Sequence, residues 1–410
     1  MKILHTSDWH IGRALYGRKR YEEFERFLDW LLGCIKTQGI EALLVAGDVF
    51  DNGTPSNRAL ELYYRFLCRC AGAGCRHVVV TAGNHDSPSL LNAPREVLRY
   101  LNVHVVGCMA EAADDELVVL HGGEGKPELI VCAVPYLRDR DIRRAEAGET
   151  FEDKGRKLVE GIRDHYQKVG EAAAARRDVL GDKIPIVAMG HLFAAGGQTL
   201  DGDGVRELYV GTLGHVGGDV FPECFDYLAL GHLHTAQKVA GSDFRRYSGS
   251  PLPMSFGEAG QCKVVAVVDF NAGGVHVQEL PVPCFQPFAS VRGDWNRIDE
   301  RITAMKKESA SIWLEVIYEG EEIPGDLQER LRELIDGTPL EILRTRNMRL
   351  VERTLSCMDT EETLDDLDED EVFDRCLAAH EVSPEQRDEL VSAFREAVTA
   401  LHEDEARGES

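Results

Sequence analysis

Residues 42–51 read Ala-Leu-Leu-Val-Ala-Gly-Asp-Val-Phe-Asp. The uninterrupted apolar run predicts a strand, Ala42–Ala46, buried on both faces. Gly47 lets the chain turn sharply at its end, and Asp48 and Asp51 follow in the loop. On either side the hydrophobic period changes. Upstream, Tyr21–Gln38 carries Phe24, Phe27, Leu28, Leu31, Leu32 and Ile35 at helical spacing, with Gly39 as its stop. Downstream, Pro55–Ala71 repeats the pattern with Leu60, Tyr63, Phe66 and Leu67, and Leu90–Leu101 predicts a third helix. Further strands are expected at Lys2–Thr6, His77–Ala82, Val103–Gly107, Leu117–His121, Leu129–Val134, Ile184–Met189, Asp226–Leu230 and Lys263–Phe270. Strand–helix–strand alternation predicts an α/β domain.

Five short segments stand at the ends of such runs: Asp8-Trp9-His10, Gly47-Asp48-Val49-Phe50-Asp51, Gly83-Asn84-His85-Asp86, Gly190-His191 and Gly231-His232-Leu233-His234. Active sites of open α/β sheets collect outside the carboxyl ends of the strands. In Asp8-x-His10 and His232-x-His234 the paired side chains are two residues apart, so on extended backbone they point the same way. A carboxylate, an amide and several imidazoles without a thiolate suit manganese, zinc or iron. Seven candidate ligands exceed what one ion takes, and two ions sharing a carboxylate account for them. His121, His215 and the Cys68, Cys70, Cys75 cluster fit no such pattern.

The chain has 410 residues, enough for several domains, with 43% hydrophobic and 29% charged residues. Its 11 cysteines are scattered and complete no zinc finger, which favours reduced thiols. No apolar run approaches the ~18 residues of a membrane span. Asp8 and His10 arrive too early for a secretory signal, so a cytoplasmic protein is expected. A net charge of −25 argues at first against a nucleic-acid partner, but residues 351–410 alone contribute −15 of it. Bound cations would add positive charge where it counts. Near the metal segments, Arg13, Tyr16, Lys19, Asn57, Ser87 and Arg95 are candidates for holding a phosphate backbone without reading bases. Arg138, Arg140, Arg143 and Arg144 alternate with acids and read as a solvated face.

Beyond Pro281, Pro283 and Pro287 the character changes. A strand (Phe288–Arg292), a helix (Trp295–Lys307), a strand (Ile312–Tyr318), a helix (Asp326–Ile335) and a strand (Leu340–Arg344) predict a small α+β module. Residues 359–374 hold ten acids and no base, which predicts a solvated linker over 359–370. Two short helices follow within 371–405. Ser383, Pro384 and Gln386 open the second as a capping box. Leu390, Phe394 and Val398 lie on one apolar stripe that two short helices cannot bury alone.

The five segments match, in order and chemistry, the motifs of the calcineurin-like metallophosphoesterases. Ser7–Arg13, Ala46–Asp51, Asp226–His234 and Tyr247–Phe256 further resemble the nucleases of double-strand-break repair within that superfamily. The resemblance covers about residues 1–350. It implies a β-sandwich flanked by helices over 1–280, a capping domain over 285–350, and a C-terminal helix–loop–helix that docks on a coiled-coil ATPase. It implies one ion held by Asp8, His10, Asp48 and His234 and a second by Asp48, Asn84, His191 and His232, with manganese favoured. His85 would face the scissile phosphate, and Asp51 closes the second motif as a further catalytic candidate. The implied activity is 3′-to-5′ exonuclease on duplex ends and endonuclease on single strands and hairpins, by a homodimer. A phosphoesterase acting on small substrates and a noncatalytic scaffold are the rival readings.

Overall fold

The computed structural model describes residues 1–143, 149–181, 183–194, 220–307, 311–320 and 327–347, together with five residues of the tail (373, 377, 390, 391 and 394). The chain divides into two compact units, Met1–Pro287 and Phe288–Ser410.

The first unit is built on two six-stranded sheets. In one, the parallel strands Lys2–Thr6, Ala42–Ala46, His77–Thr81 and Val103–Val106 lie side by side. Val264–Asn271 pairs antiparallel with the first of these and with its own hairpin partner, Gly274–Pro281. In the other, Tyr227–Gly231 is flanked in parallel by Ile186–His191 and Arg245–Tyr247. Pro127–Cys132 pairs parallel with Ile186–His191, and the short strand Gln237–Lys238 and Leu117–His121 close the two edges antiparallel.

Alternation along each strand sorts its side chains between two cores. Ala42, Leu44 and Ala46 meet Val131, Val187, Met189 and Ala229 between the sheets. Leu43 and Val45 face outward onto the helices Tyr21–Gln38 and Asn57–Gly72. The second sheet is covered on its outer face by the 30-residue helix Phe151–Leu180, through Leu158, Ile162, Tyr166, Val169 and Ala173. Strands buried on both faces have no polar side to show, hence the uninterrupted apolar runs.

Tyr21–Gln38 ends where predicted, with Gly39 left-handed at φ 64°. The helix foreseen over Leu90–Leu101 is instead two short helices, Pro88–Asn92 and Arg95–Arg99. Pro94 divides them because it has no N–H to give the helix ladder. The hairpin strand Gly274–Pro281 went unforeseen: it is an edge strand with mostly exposed side chains, so it lacks an apolar run. Leu129–Val134 shifts to Pro127–Cys132.

In the second unit the strands Phe288–Gly293, Ile312–Tyr318 and Leu340–Asn347 form a parallel sheet with Ile312–Tyr318 central. The helices Trp295–Lys306 and Leu327–Ile335 pack Ile298, Ile302 and Leu331 against Leu314 and Val316. Within the tail, the rings of Phe373 and Phe394 stack 4.0 Å apart and nearly parallel, and Leu390 is exposed. The acidic stretch 359–370, the Ser383–Gln386 box, Val398, His215 and Arg144 lie outside the described residues.

Candidate metal centre

All five motif segments leave parallel strands at their carboxyl ends, from both sheets, and meet at one edge of the sandwich. Asp8 follows Lys2–Thr6, Asp48 follows Ala42–Ala46, and Asn84 follows His77–Thr81; His191 ends its own strand, and His232 follows Tyr227–Gly231. The approach of the two sheets there is close. A methyl group on Gly231 would strike the carbonyl of Ala46, and one on Gly47, itself at φ 83°, would strike the His191 ring. The backbone is strained at the same place: Asp8, His10, Asp48 and His232 all adopt positive φ, which side-chain-bearing residues rarely do. Such strain persists where surrounding structure over-determines it, and it collects at functional sites.

Two niches share Asp48. In the first, His10 Nε2 lies 3.2 Å from His234 Nε2 and 3.6 Å from Asp48 Oδ2. Asp8, His10 and His234 offer ligand atoms within 4.8 Å of one another. In the second, His191 Nε2 lies 3.2 Å from Asp48 Oδ2 and 3.0 Å from Asn84 Oδ1, which is also 3.1 Å from His232 Nδ1. The other atoms of these residues are held from behind. His191 Nδ1 faces the carbonyl of Ala46 at 2.9 Å, and the Asp8 carboxylate accepts the His232 backbone N–H. A ring nitrogen committed to donating leaves its opposite nitrogen as the ligand.

The electrostatics couple the inward-facing groups tightly to one another. Burial opposes ionisation of Asp48, but the His191 and His10 rings outweigh it and hold the carboxyl well below its usual range. His191 shows the converse: burial disfavours its charge, yet Asp48 and Asp8 push it up to about 9. Burial and the charge on His191 bring His232 down to about 3. Burial also lowers His10, with Asp51 and Asp48 only partly offsetting it. Carboxylates, an amide oxygen and imidazoles converging on two points are the donor set of a divalent-cation site, which His191 joins on giving up its proton.

His85 sits beside the first niche, its ring 4.8 Å from that of His10. Its backbone N–H donates to Asp48 Oδ1 at 2.9 Å, and its Nδ1 lies 2.8 Å from the carbonyl oxygen of Asp51. The Asp51 side chain approaches His10 Nδ1 at 3.5 Å and pairs with Arg13 at 3.1 Å. Among the other sequence candidates, Tyr16 stacks on Phe256 and stays 45% exposed, while Lys19 and Asn57 are exposed. Ser87 caps Pro88–Asn92, and Arg95 pairs with Glu96.

Sequence reasoning gave Asp86 no role. Wholly buried, it accepts backbone N–H bonds from Gly83, Val49 and Phe50 at 2.9–3.1 Å, and so ties the Asp48 loop to the Asn84 loop. Burial and Asp48 push its carboxyl up to about 7. Its place as the last letter of Gly-Asn-His-Asp was the available signal.

A two-sheet sandwich whose strand ends bring carboxylates, an amide and imidazoles together is the setting of the class of metal-using phosphoesterases. Residues 1–236 match the family model described as calcineurin-like phosphoesterase, and residues 284–381 match one described as type 5 capsule protein repressor C-terminal domain. Over 406 residues, 98% of each chain, the sequence is 38% identical to SbcD, the D component of nuclease SbcCD, of Escherichia coli K12. It is 37% identical to the Rhodobacter capsulatus protein of that name over 69% of each chain, and 35% identical to the Bacillus subtilis one over 67% of each. The chain belongs to the SbcD family of calcineurin-like phosphoesterases.

Proposed function

We propose that the chain is the nuclease component of an SbcCD-type complex, hydrolysing DNA phosphodiesters with two divalent ions, manganese favoured. The position of Asp48 Oδ2, within 3.6 Å of His10 Nε2 and 3.2 Å of His191 Nε2, carries this reading, because one carboxylate oxygen serves both niches. Asp8, His10, Asp48 and His234 would hold one ion; Asp48, Asn84, His191 and His232 would hold the other. Bound there, the ions would neutralise nonbridging phosphate oxygens and lower the pKa of a water to make it a nucleophile.

The chain's own residues do the rest. With Nδ1–H donated to the Asp51 carbonyl, His85 leaves Nε2 to face a phosphate; protonated there as the imidazolium, it would give the Nε2 proton to the leaving oxygen and remain the Nδ1–H neutral ring. Asp51, named among the catalytic candidates, approaches the far side of His10 and Arg13, which supports a positioning role. Arg13, Tyr16, Lys19, Asn57, Ser87 and Arg95 are proposed to hold the DNA backbone.

The remaining assignments follow the same reading. Residues 1–280 carry the chemistry and 285–350 the capping domain. The linker 359–370 tethers a helix–loop–helix over 371–405 that docks on an SbcC-type coiled-coil ATPase through Leu390, Phe394 and Val398. A homodimer would use the helices Asn57–Gly72 and Arg95–Arg99, where Val97 and Tyr100 are exposed. Among the described residues no helix is long and apolar enough to cross a membrane, and the proposed location is the cytoplasm. Substrates are duplex ends, degraded 3′ to 5′, and single strands and hairpins, cut internally, in repair and recombination. Cleavage of labelled DNA by the metal-loaded chain tests the whole.

A further inference from the structure

We propose that Glu258 is a positioning residue for the first metal niche, acting through His234; this rests on the reading of His234 as a ligand. Glu258 belongs to none of the five motif segments. Its side chain is wholly buried beside His234, and Oε1 lies 3.4 Å from His234 Nδ1 while completing no hydrogen bond among the described residues. Two imidazole nitrogens, His10 Nε2 and His234 Nε2, face each other at 3.2 Å, so Nε2 is the edge His234 offers to a cation. Nδ1 must then carry the proton, and Glu258 is the acceptor waiting for it.

The other end of the acid is fixed as firmly. Oε2 accepts from the Met254 backbone N–H at 3.2 Å and pairs with Lys263, which is also buried. The Lys263 ammonium in turn donates to the backbone carbonyl of His234 at 3.0 Å and to Ser250 Oγ at 3.1 Å. One ion pair therefore holds both the backbone and the ring of a single residue. A buried ion pair is a poor source of stability compared with apolar packing, so its placement against one candidate ligand calls for another reason. A carboxylate behind a ligating histidine sets its tautomer and raises its basicity, and loss of such a partner costs about 10–100-fold in metal affinity.

The test is a Mn2+ binding isotherm on the purified full chain by calorimetry, with folding checked by thermal unfolding in chelator. Glu258→Gln keeps the shape and removes the charge. The expected result is a roughly 10–100-fold weakening of one site, the other unchanged, and no further loss when Glu258→Gln is added to His234→Ala. Should Glu258→Gln not fold, Glu258→Asp, which withdraws the charge from Nδ1 by one methylene, gives the same selective loss. Unchanged affinities, equal weakening of both sites, or equal losses with and without His234 would overturn the proposal. A wild-type chain that binds no Mn2+ would overturn the metal reading itself, and this inference with it.

Discussion

Asn84 Oδ1 and His191 Nε2 lie 3.0 Å apart although 107 residues separate them in the chain. The contact joins a loop of one sheet to a strand end of the other. As a hydrogen bond it needs a proton on Nε2, because the amide oxygen can only accept. That proton is secured by Asp48 and Asp8, which overcome burial and push His191 up to about 9. A cation bound between these groups displaces it. Near pH 7.5, Mn2+ uptake is therefore expected to release at least one proton. Below about pH 9 the proton competes, so affinity falls roughly tenfold for each unit of pH lost. Calorimetry in buffers of different ionisation enthalpy reads the release directly; uptake without it would contradict the assignment of His191.

The sheets can approach this closely because Gly231 has no side chain. In Gly231→Ala the new methyl group meets the Ala46 carbonyl, which belongs to the neighbouring sheet's backbone and cannot step aside. The expected cost is about 1–3 kcal/mol of stability, the usual range for overpacking. It appears as a lowered melting temperature in chelator, together with weaker metal binding. Full stability in the variant would show that the sheets tolerate separation.

Gly231, like Gly47, was visible in the sequence as a turn residue, while its reason, the opposite sheet, was not. The same limit applies more widely. Apolar runs such as Ala42–Ala46 and helical stripes such as Phe24–Ile35 are local patterns and could be read directly. The motif segments declared their chemistry, since few folds need Asp-x-His, Gly-Asn-His and His-x-His in succession. What stayed hidden depends on contacts between distant segments. Glu258 reaches His234 through a loop with no periodic signal, and Asp86 gains its role only when Val49, Phe50 and Gly83 bring their N–H groups to it. Gly274–Pro281 is a strand because Val264–Asn271 offers it an edge.

Asp48 and His85 stand within one hydrogen bond of each other yet should fail differently. Asp48→Ala removes the oxygen shared by both niches, so Mn2+ should no longer raise the melting temperature. His85→Ala should keep that rise, worth about 2.7 kcal/mol at a hundred times the dissociation constant, while cleavage falls about 10²–10⁴-fold. Loss of the metal-dependent rise in His85→Ala would move that histidine into the ligand set.

Deleting 371–410 should abolish binding to the SbcC-type ATPase and leave Mn2+ affinity unchanged. Pull-down and calorimetry on the same truncated chain report both quantities. Undiminished ATPase binding would relocate the docking surface.

If metal ions bound in these two niches cut DNA, cleavage itself is the most direct readout. The purified chain, alone and with the SbcC-type ATPase and ATP, is incubated with end-labelled single- and double-stranded DNA. Manganese, magnesium or chelator is present, and His85→Ala runs alongside. Manganese-dependent cleavage is expected, abolished by chelator and reduced about 10²–10⁴-fold in His85→Ala. Intact DNA in every lane of a metal-loaded wild-type protein, with and without the ATPase, would contradict that reading of the niches.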